Sequence, residues 1–319
     1  MKSVLITGAA GFIGFNLSKY LLEKKYKVVG LDNFDNYYSI KLKKKRVSML
    51  KKNKKFFFKK IDLSKIDQLK KIQNINFDYI FHLAAQAGVR YSMINQQKYI
   101  KSNINGFCNL VEIFKQKKIK KFFYASSSSV YGDQKKFPLN ENIKINPKNV
   151  YGLTKKFNEE IADIYSSLYK IKFIGLRFFT VFGEWGRPDM FILKFLNSSI
   201  NNKKFYLNNL GNHVRDFTYV GDVVNYMHLL AIKSLNKRHT IVNICSNDPI
   251  DIKKIIRYFN KKIKSPKIIK RGFQPGDMLK THGDNKKLKK LTKYSRFRNI
   301  YHSLEKTFKW YKDFKIHKY

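Results

Sequence analysis

Cysteine is scarce. Cys108 and Cys245 are the two in 319 residues, too few for a disulfide framework and too far apart for a Cys-x-x-Cys metal pair. The seven histidines are scattered, with no His-x-x-x-His spacing, so the common helical metal site is excluded as well. No apolar run reaches the roughly 18 residues of a membrane span. The N-terminus has one lysine and then "SVLIT" before glycines begin, which is too short for the apolar region of a signal peptide. A soluble, cytosolic protein without metal is the expectation. Acidic residues are also few, 22 against 66 basic ones, which leaves a net charge of +44. Charge of that size points toward a polyanionic partner. Yet only ten of the 66 are arginine, and the abundant Lys, Asn, Ile, Phe and Tyr all have A/T-rich codons. The lysines spread over 41–60, 115–121, 253–271 and 286–293, as on a solvated surface and unlike a one-sided nucleic-acid groove.

What the chain does have is rhythm. Short β-branched or aromatic runs at 3–7, 27–31, 56–61, 79–84, 121–126 and 172–178 alternate with helix-period segments near 12–25, 64–72, 97–118 and 150–169. Several of the runs are almost wholly apolar, as parallel strands buried on both faces are. The pattern predicts an α/β fold, a Rossmann-like doubly wound parallel sheet. Residues 1–180 are assigned to a dinucleotide-binding domain with a return near 215–245. A smaller, discontinuous substrate region takes most of 181–319.

"VLITGAAGFIGFNL" places Gly8, Gly11 and Gly14 between a strand and a helix. Gly8 suits the tight turn, Gly11 the approach of backbone to a pyrophosphate, and Gly14 close helix–strand packing. The helix N-terminus adds free N–H groups and a positive dipole end. Asp32 ends the second strand 18 residues beyond Gly14, where a carboxylate grips adenosine ribose hydroxyls and repels a 2′-phosphate, so NAD is expected over NADP.

Tyr-x-x-x-Lys, a candidate base with its activator, occurs six times: Tyr20/Lys24, Tyr37/Lys41, Tyr131/Lys135, Tyr151/Lys155, Tyr258/Lys262 and Tyr311/Lys315. The glycine spacing, "HLAA" (82–85), Asn103 and "SSSSVYG" (126–132) resemble the extended short-chain dehydrogenase/reductase family. In that family a hydroxyl residue closes the fifth strand and the Tyr-x-x-x-Lys helix follows. Tyr151 lies 24 residues after Ser127, and no other pair stands so. A phenol with pKa near 10 is a poor base. A nearby ammonium and the positive nicotinamide ring favour phenolate, and four residues on a helix set Lys155 on the face of Tyr151. The resemblance implies Ser127, Tyr151 and Lys155 as catalytic groups. For NAD it implies Gly8, Gly11, Phe12, Ile13, Gly14, Asp32, Asn33, Asp62, Leu63, Leu83, Ala84, Ala85, Asn103, Tyr151 and Lys155.

Longer segments narrow the resemblance. "GLDNFDNYYSIKLKKKR" (30–46), "HLAAQAGVRYS" (82–92), "RFFTVFGEWGRPDM" (177–190), "RDFTYVGD" (215–222) and "QPGDM" (274–278) are similar to bacterial UDP-glucuronate 4-epimerases. Those enzymes serve polysaccharide synthesis, and the resemblance extends to a homodimer through helices near 97–118 and 150–169. It implies that a UDP-sugar meets Arg90, Ser127, Ser128, Ser129, Thr180, Arg187, Arg215 and Asp277, with Thr180 and Arg187 on the C6 carboxylate. Arg187 could instead pair locally with Asp189 or Glu184. Phe182 and Glu184 depart from the family's usual Tyr and Pro. Related 4,6-dehydratases and UDP-glucuronate decarboxylases carry acids at the places of Ser128 or Ser129, and UDP-galactose 4-epimerases carry Asn at that of Thr180. A UDP-glucose/UDP-galactose 4-epimerase, a UDP-glucuronate decarboxylase and a non-catalytic NAD-binding protein with RNA affinity remain the alternatives.

Overall fold

The computed structural model describes residues 1–274 and 278–314. Its first half runs β1 (Ser3–Thr7), α1 (Phe12–Glu23), β2 (Lys27–Asp32), α2 (Ile40–Leu50), β3 (Phe56–Lys60), α3 (Ile66–Lys70) and β4 (Tyr79–His82). Next come α4 (Val89–Ile94), α5 (Gln96–Tyr99), a π turn (Ile100–Asn105), α6 (Gly106–Phe114), β5 (Lys121–Ser127), α7 (Val150–Tyr169) and β6 (Phe173–Phe178). The remainder holds β7 (Thr180–Phe182), α8 (Phe191–Ile200), β8 (Phe205–Leu207), β9 (Val214–Tyr219), α9 (Val220–Ile232) and β10 (His239–Ile244). It ends with β11 (Pro249–Asp251), α10 (Ile252–Asn260), β12 (Ile268–Lys270), α11 (Lys286–Thr292) and α12 (Ile300–Asp313).

Seven strands form one parallel sheet in the order β10-β6-β5-β4-β1-β2-β3. Apolar residues on both faces explain why. Val4 and Ile6 of β1 join the cluster under α1 and α9, while Leu5 between them joins the one under α3, α6 and α7. Tyr79 and Phe81 of β4 likewise face one way and Ile80 the other, following the two-residue period of a strand. The chain reverses direction across the sheet between β1 and β4, and ligands of such folds bind at the C-terminal ends of the strands there.

The return to the main sheet is made by α9 and β10. Residues 215–219, expected to belong to that return, lie instead on β9 in a three-stranded sheet ordered β11-β9-β7. β8 and β12 pair separately. The buried Lys121 fastens the return by donating to the carbonyls of Leu230 at 2.7 Å and Ala231 at 3.0 Å, and to that of Lys233, closing the end of α9 as a basic side chain can.

Candidate active site

Above the reversal point lies a cleft of about 590 Å³, within the usual range for small-molecule sites. Gly8 forms its floor with φ at +71°. A Cβ there would sit 2.8 Å from the Ala84 nitrogen, and one on Gly14 would sit 2.1 Å from the Gly8 oxygen. The turn therefore tolerates only glycine while α1 packs so close to the strand ends. α1 begins at Gly11 with no side chain capping it, so its first N–H groups face the cleft unpaired by a cap.

Asp32, at the end of β2, accepts the Phe34 N–H at 2.8 Å and the Ala10 N–H at 3.1 Å. Burial raises its carboxyl above the ordinary value, against those two bonds and the charge of Lys43. Asn33, Asp62, Leu63, Leu83, Ala84, Ala85, Phe12 and Ile13 share this half of the cleft.

The other half is built on β5, α7 and the segment after β6. Ser127 closes β5, and its Oγ accepts the Ser129 N–H at 3.2 Å and lies 3.2 Å from the Ser129 hydroxyl. Asn149 caps α7 by accepting the Gly152 N–H at 2.8 Å, which starts the helix just before the tyrosine. Beneath, Glu159 binds Arg177 through both oxygens at 2.9 and 2.8 Å and takes the Ser126 hydroxyl at 2.5 Å. This buried network ties β5, β6 and α7 together. It anchors the strand end and the helix that bring Ser127 and Tyr151 to the same cleft.

Tyr151 and Lys155 both line the cleft. Among the described residues theirs is the one Tyr-x-x-x-Lys pair that does: Tyr37 lines it, but Lys41 is exposed. The Lys155 ammonium lies 5.8 Å from the Tyr151 ring centroid. Burial pushes the Tyr151 phenol above its ordinary value, while the Ser127 hydrogen bond and the Arg187 charge pull it down. The lowering expected from Lys155 is not found; Ser127 and Arg187 supply what lowering there is, and burial outweighs it. Burial also brings the Lys155 ammonium down to about 7, and its Nζ is enclosed without a hydrogen-bond partner. A buried ammonium left so is costly, which marks a place for ligand oxygens.

Ser128, Ser129, Thr180 and Arg187 complete this wall. Arg187 also makes the local pair with Asp189, Nε to Oδ1 at 3.1 Å and Nη2 to Oδ2 at 2.5 Å. Glu184 turns away, accepting the Tyr219 hydroxyl at 3.0 Å. Phe182 packs on Phe217 and Tyr219. Neither departure from the expected loop sequence reaches the cleft.

Three expected contacts are off the cleft wall. The Asn103 carboxamide is buried, donating to the Gln86 carbonyl at 3.0 Å and the Thr154 hydroxyl at 3.1 Å and accepting the Gln86 N–H at 2.7 Å. It braces the loop after β4 against α7. Arg90 is exposed against the Asn208 amide. Arg215 donates to the carbonyls of Val214 and Leu279, each at 3.0 Å, which fastens β9 to the segment beside it. Asp277 lies outside the described residues. Asp35, Lys43, Gln86, Lys98 and Met190 line the cleft without having been singled out in the sequence, and Tyr37 lines it without the lysine of its pair. Lys43 had no signal, being one lysine in a run of lysines.

Comparison with known proteins agrees with this geometry. Residues 4–245 match the model of the NAD dependent epimerase/dehydratase family. The chain is 43% identical to an uncharacterised protein of Methanocaldococcus jannaschii, covering 97% of this chain and 96% of that protein. It is 36% identical to the UDP-glucuronate 4-epimerase of Thermodesulfobacterium geofontis, with 98% and 97% covered. The crystal structure of UDP-glucuronic acid 4-epimerase from Bacillus cereus, in complex with UDP-glucuronic acid and NAD, superposes with a TM-score of 0.92 at 32% identity, over 98% of this chain and 99% of that one.

Proposed function

Since the chain belongs to the NAD dependent epimerase/dehydratase family, we propose that it interconverts UDP-glucuronate and UDP-galacturonate by inverting C4 of the sugar. One observation carries this reading: Ser127, Tyr151 and Lys155 share a cleft with Arg187 and Thr180, and no acid stands at Ser128 or Ser129. The cleft also fits NAD. The uncapped start of α1 suits the pyrophosphate, Asp32 the adenosine ribose, and the enclosed Lys155 ammonium the nicotinamide ribose hydroxyls. Bound there, NAD would supply a hydride acceptor and donor at C4 and a positive ring charge beside Tyr151.

The residues do the rest. Ser127 orients the sugar 4-hydroxyl toward Tyr151, which takes its proton and gives one back after the 4-keto sugar has turned over. Arg187 and Thr180 hold the C6 carboxylate. That grip matters chemically, because a 4-keto uronic acid is a β-keto acid and loses carbon dioxide when its carboxylate is free to align; the clamp is a positioning device. Incubation of the purified protein with UDP-glucuronate, followed by anomeric NMR, is expected to show UDP-galacturonate accumulating. UDP-pentose as the main product, or no turnover, would overturn the reading. No described helix is long and apolar enough to cross a membrane.

Three further outcomes are expected. Asp32→Ala removes the group that repels a 2′-phosphate, so preference for NAD over NADP should fall about tenfold, equivalent to ~1.4 kcal/mol; equal retention of both cofactors by variant and parent would remove Asp32 from the ribose site. Lys155 titrates near 7, and ribose oxygens accepting from its ammonium raise that value. Binding NAD therefore takes up protons, and affinity is greatest below about 7 and declines as pH rises toward the raised value. Calorimetry on stripped protein in buffers of different ionisation enthalpy reads that uptake, and none near neutrality would sink the contact. Leu153, Ile164 and Leu168 of α7 are exposed apolar side chains on one long helix, a face that suits a second copy. A homodimer by light scattering at micromolar concentration is expected, and a monomer would reject it.

A further inference from the structure

Arg46 lies on α2 and is fully buried. Its Nη1 donates to the Ala10 carbonyl and the Tyr38 hydroxyl, both at 2.8 Å, and its Nη2 to the carbonyls of Trp185 at 2.7 Å and Gly186 at 2.9 Å. Nε is enclosed without a partner. Among the described residues no carboxylate pairs directly with the cation; Asp32 acts on it through space. Burying a guanidinium this way is poor value for stability alone. What the contacts join is informative. Ala10 belongs to the glycine turn under the cofactor half of the cleft. Trp185 and Gly186 immediately precede Arg187.

The joined segment is also strained. Trp185 has φ at +59°, a left-handed conformation that an aromatic residue adopts only when its surroundings impose it. Two restraints do so. The indole is packed against Phe15, Trp310 and Phe314 at ring-centroid separations of 5.2, 5.4 and 5.2 Å. The carbonyls of Trp185 and Gly186 are both held by one nitrogen of Arg46. The aromatic packing fixes the side chain, whereas the arginine fixes the peptide planes, and these aim the next residue.

We propose that Arg46 is a positioning residue that locks the loop bearing Arg187 onto the glycine turn, and so sets preference for a sugar carrying a carboxylate. This rests on the uronate reading given above. Arg46 touches neither half of the ligand, since it is absent from the cleft wall, and it acts through the backbone on either side. The planar fork holds the glycine turn with one nitrogen and the Arg187 loop with another, a fixed separation that the single nitrogen of an ammonium does not reproduce.

The test measures affinity by calorimetry on holoenzyme for UDP-glucuronate and UDP-glucose, which differ at C6. In Arg46→Lys, UDP-glucuronate is expected to bind about tenfold more weakly, the lower end of what a hydrogen bond to a charged group supplies. UDP-glucose affinity should stay within about twofold, and NAD content should be unchanged. Added to Arg187→Ala, the same change should cost nothing more, because both act through one contact. Equal weakening of the two ligands, or full additivity with Arg187→Ala, would overturn the proposal. Arg46→Met, which fills the volume without charge, carries the same expectation if the lysine variant does not fold. Failure of both to fold would assign Arg46 to stability alone and reject the proposal. A parent protein with no preference for UDP-glucuronate would sink the functional reading itself. A preference that survives Arg46→Lys would sink only this inference.

Discussion

Tyr151→Phe is expected to slow UDP-glucuronate epimerisation by at least ~10²-fold, the lower end for loss of a general base, while purified protein keeps its NAD. The substitution removes one oxygen. The ring that remains can keep its edge-on packing against Tyr99, at a centroid separation of 6.2 Å. Asp32, the glycine turn and Lys155 are untouched, so the proposed cofactor site stays whole. The lost oxygen is the one on which the Ser127 hydroxyl acts, and the neighbouring phenol does not take its place. Tyr99, the neighbouring ring, donates its hydroxyl to the carbonyls of Ala87 and Gly88 at 3.0 and 2.5 Å, and burial pushes that phenol well up. Product formation by NMR and cofactor content by absorbance after denaturation read the two halves separately. Near-normal turnover would remove Tyr151 from the mechanism. Loss of NAD together with activity would instead make the hydroxyl part of the cofactor site.

That pair was legible through the spacing from Ser127 that the family resemblance implies, and the structure brings that strand end and helix start together at one cleft. The strands were legible for a different reason. β1, β4 and β6 are buried along nearly their whole length, so their apolar runs carry no surface-facing interruption to blur them. The helix expected over 97–118 was less so. It runs helical over residues 96–114, but with a π turn between α5 and α6 that the pattern did not show, and Asn103 within the turn is held by Gln86 and Thr154, 17 and 51 residues away. Local periodicity does not contain such partners. Arg215 shows the same limit: its carbonyl partner Leu279 is 64 residues distant, and that contact decides where the guanidinium goes. Arg46 is the clearest case. Read locally it is one more base in "KLKKKR"; the fold buries it and leaves Lys44 and Lys45 beside it exposed.

Arg187→Ala is expected to lower kcat/KM for UDP-glucuronate about 10- to 150-fold, from the roughly 1.5–3 kcal/mol of a hydrogen bond to a charged group, with little change for UDP-glucose if that is turned over. The pairing with Asp189 does not oppose this. It engages Nε and one hydrogen of Nη2, and the guanidinium has five donors in a fixed plane. Nη1 and the second Nη2 hydrogen form the adjoining edge, which suits a planar carboxylate. The Tyr37 ring, 5.6 Å from the guanidinium carbon, limits how far the plane can swing. Asp189 therefore orients the fork. A second effect must be separated from the first. The Arg187 charge also pulls the Tyr151 phenol down, so its removal raises that pKa and moves the acid limb of the pH profile upward for any substrate. Rates compared on the plateau, above that limb, isolate the carboxylate contact. There the loss should fall on UDP-glucuronate, and UDP-pentose should appear, because an unclamped 4-keto uronate can align its carboxylate for loss of carbon dioxide. Equal plateau losses on the two substrates, without UDP-pentose, would show that Arg187 shapes the loop and does not read the carboxylate.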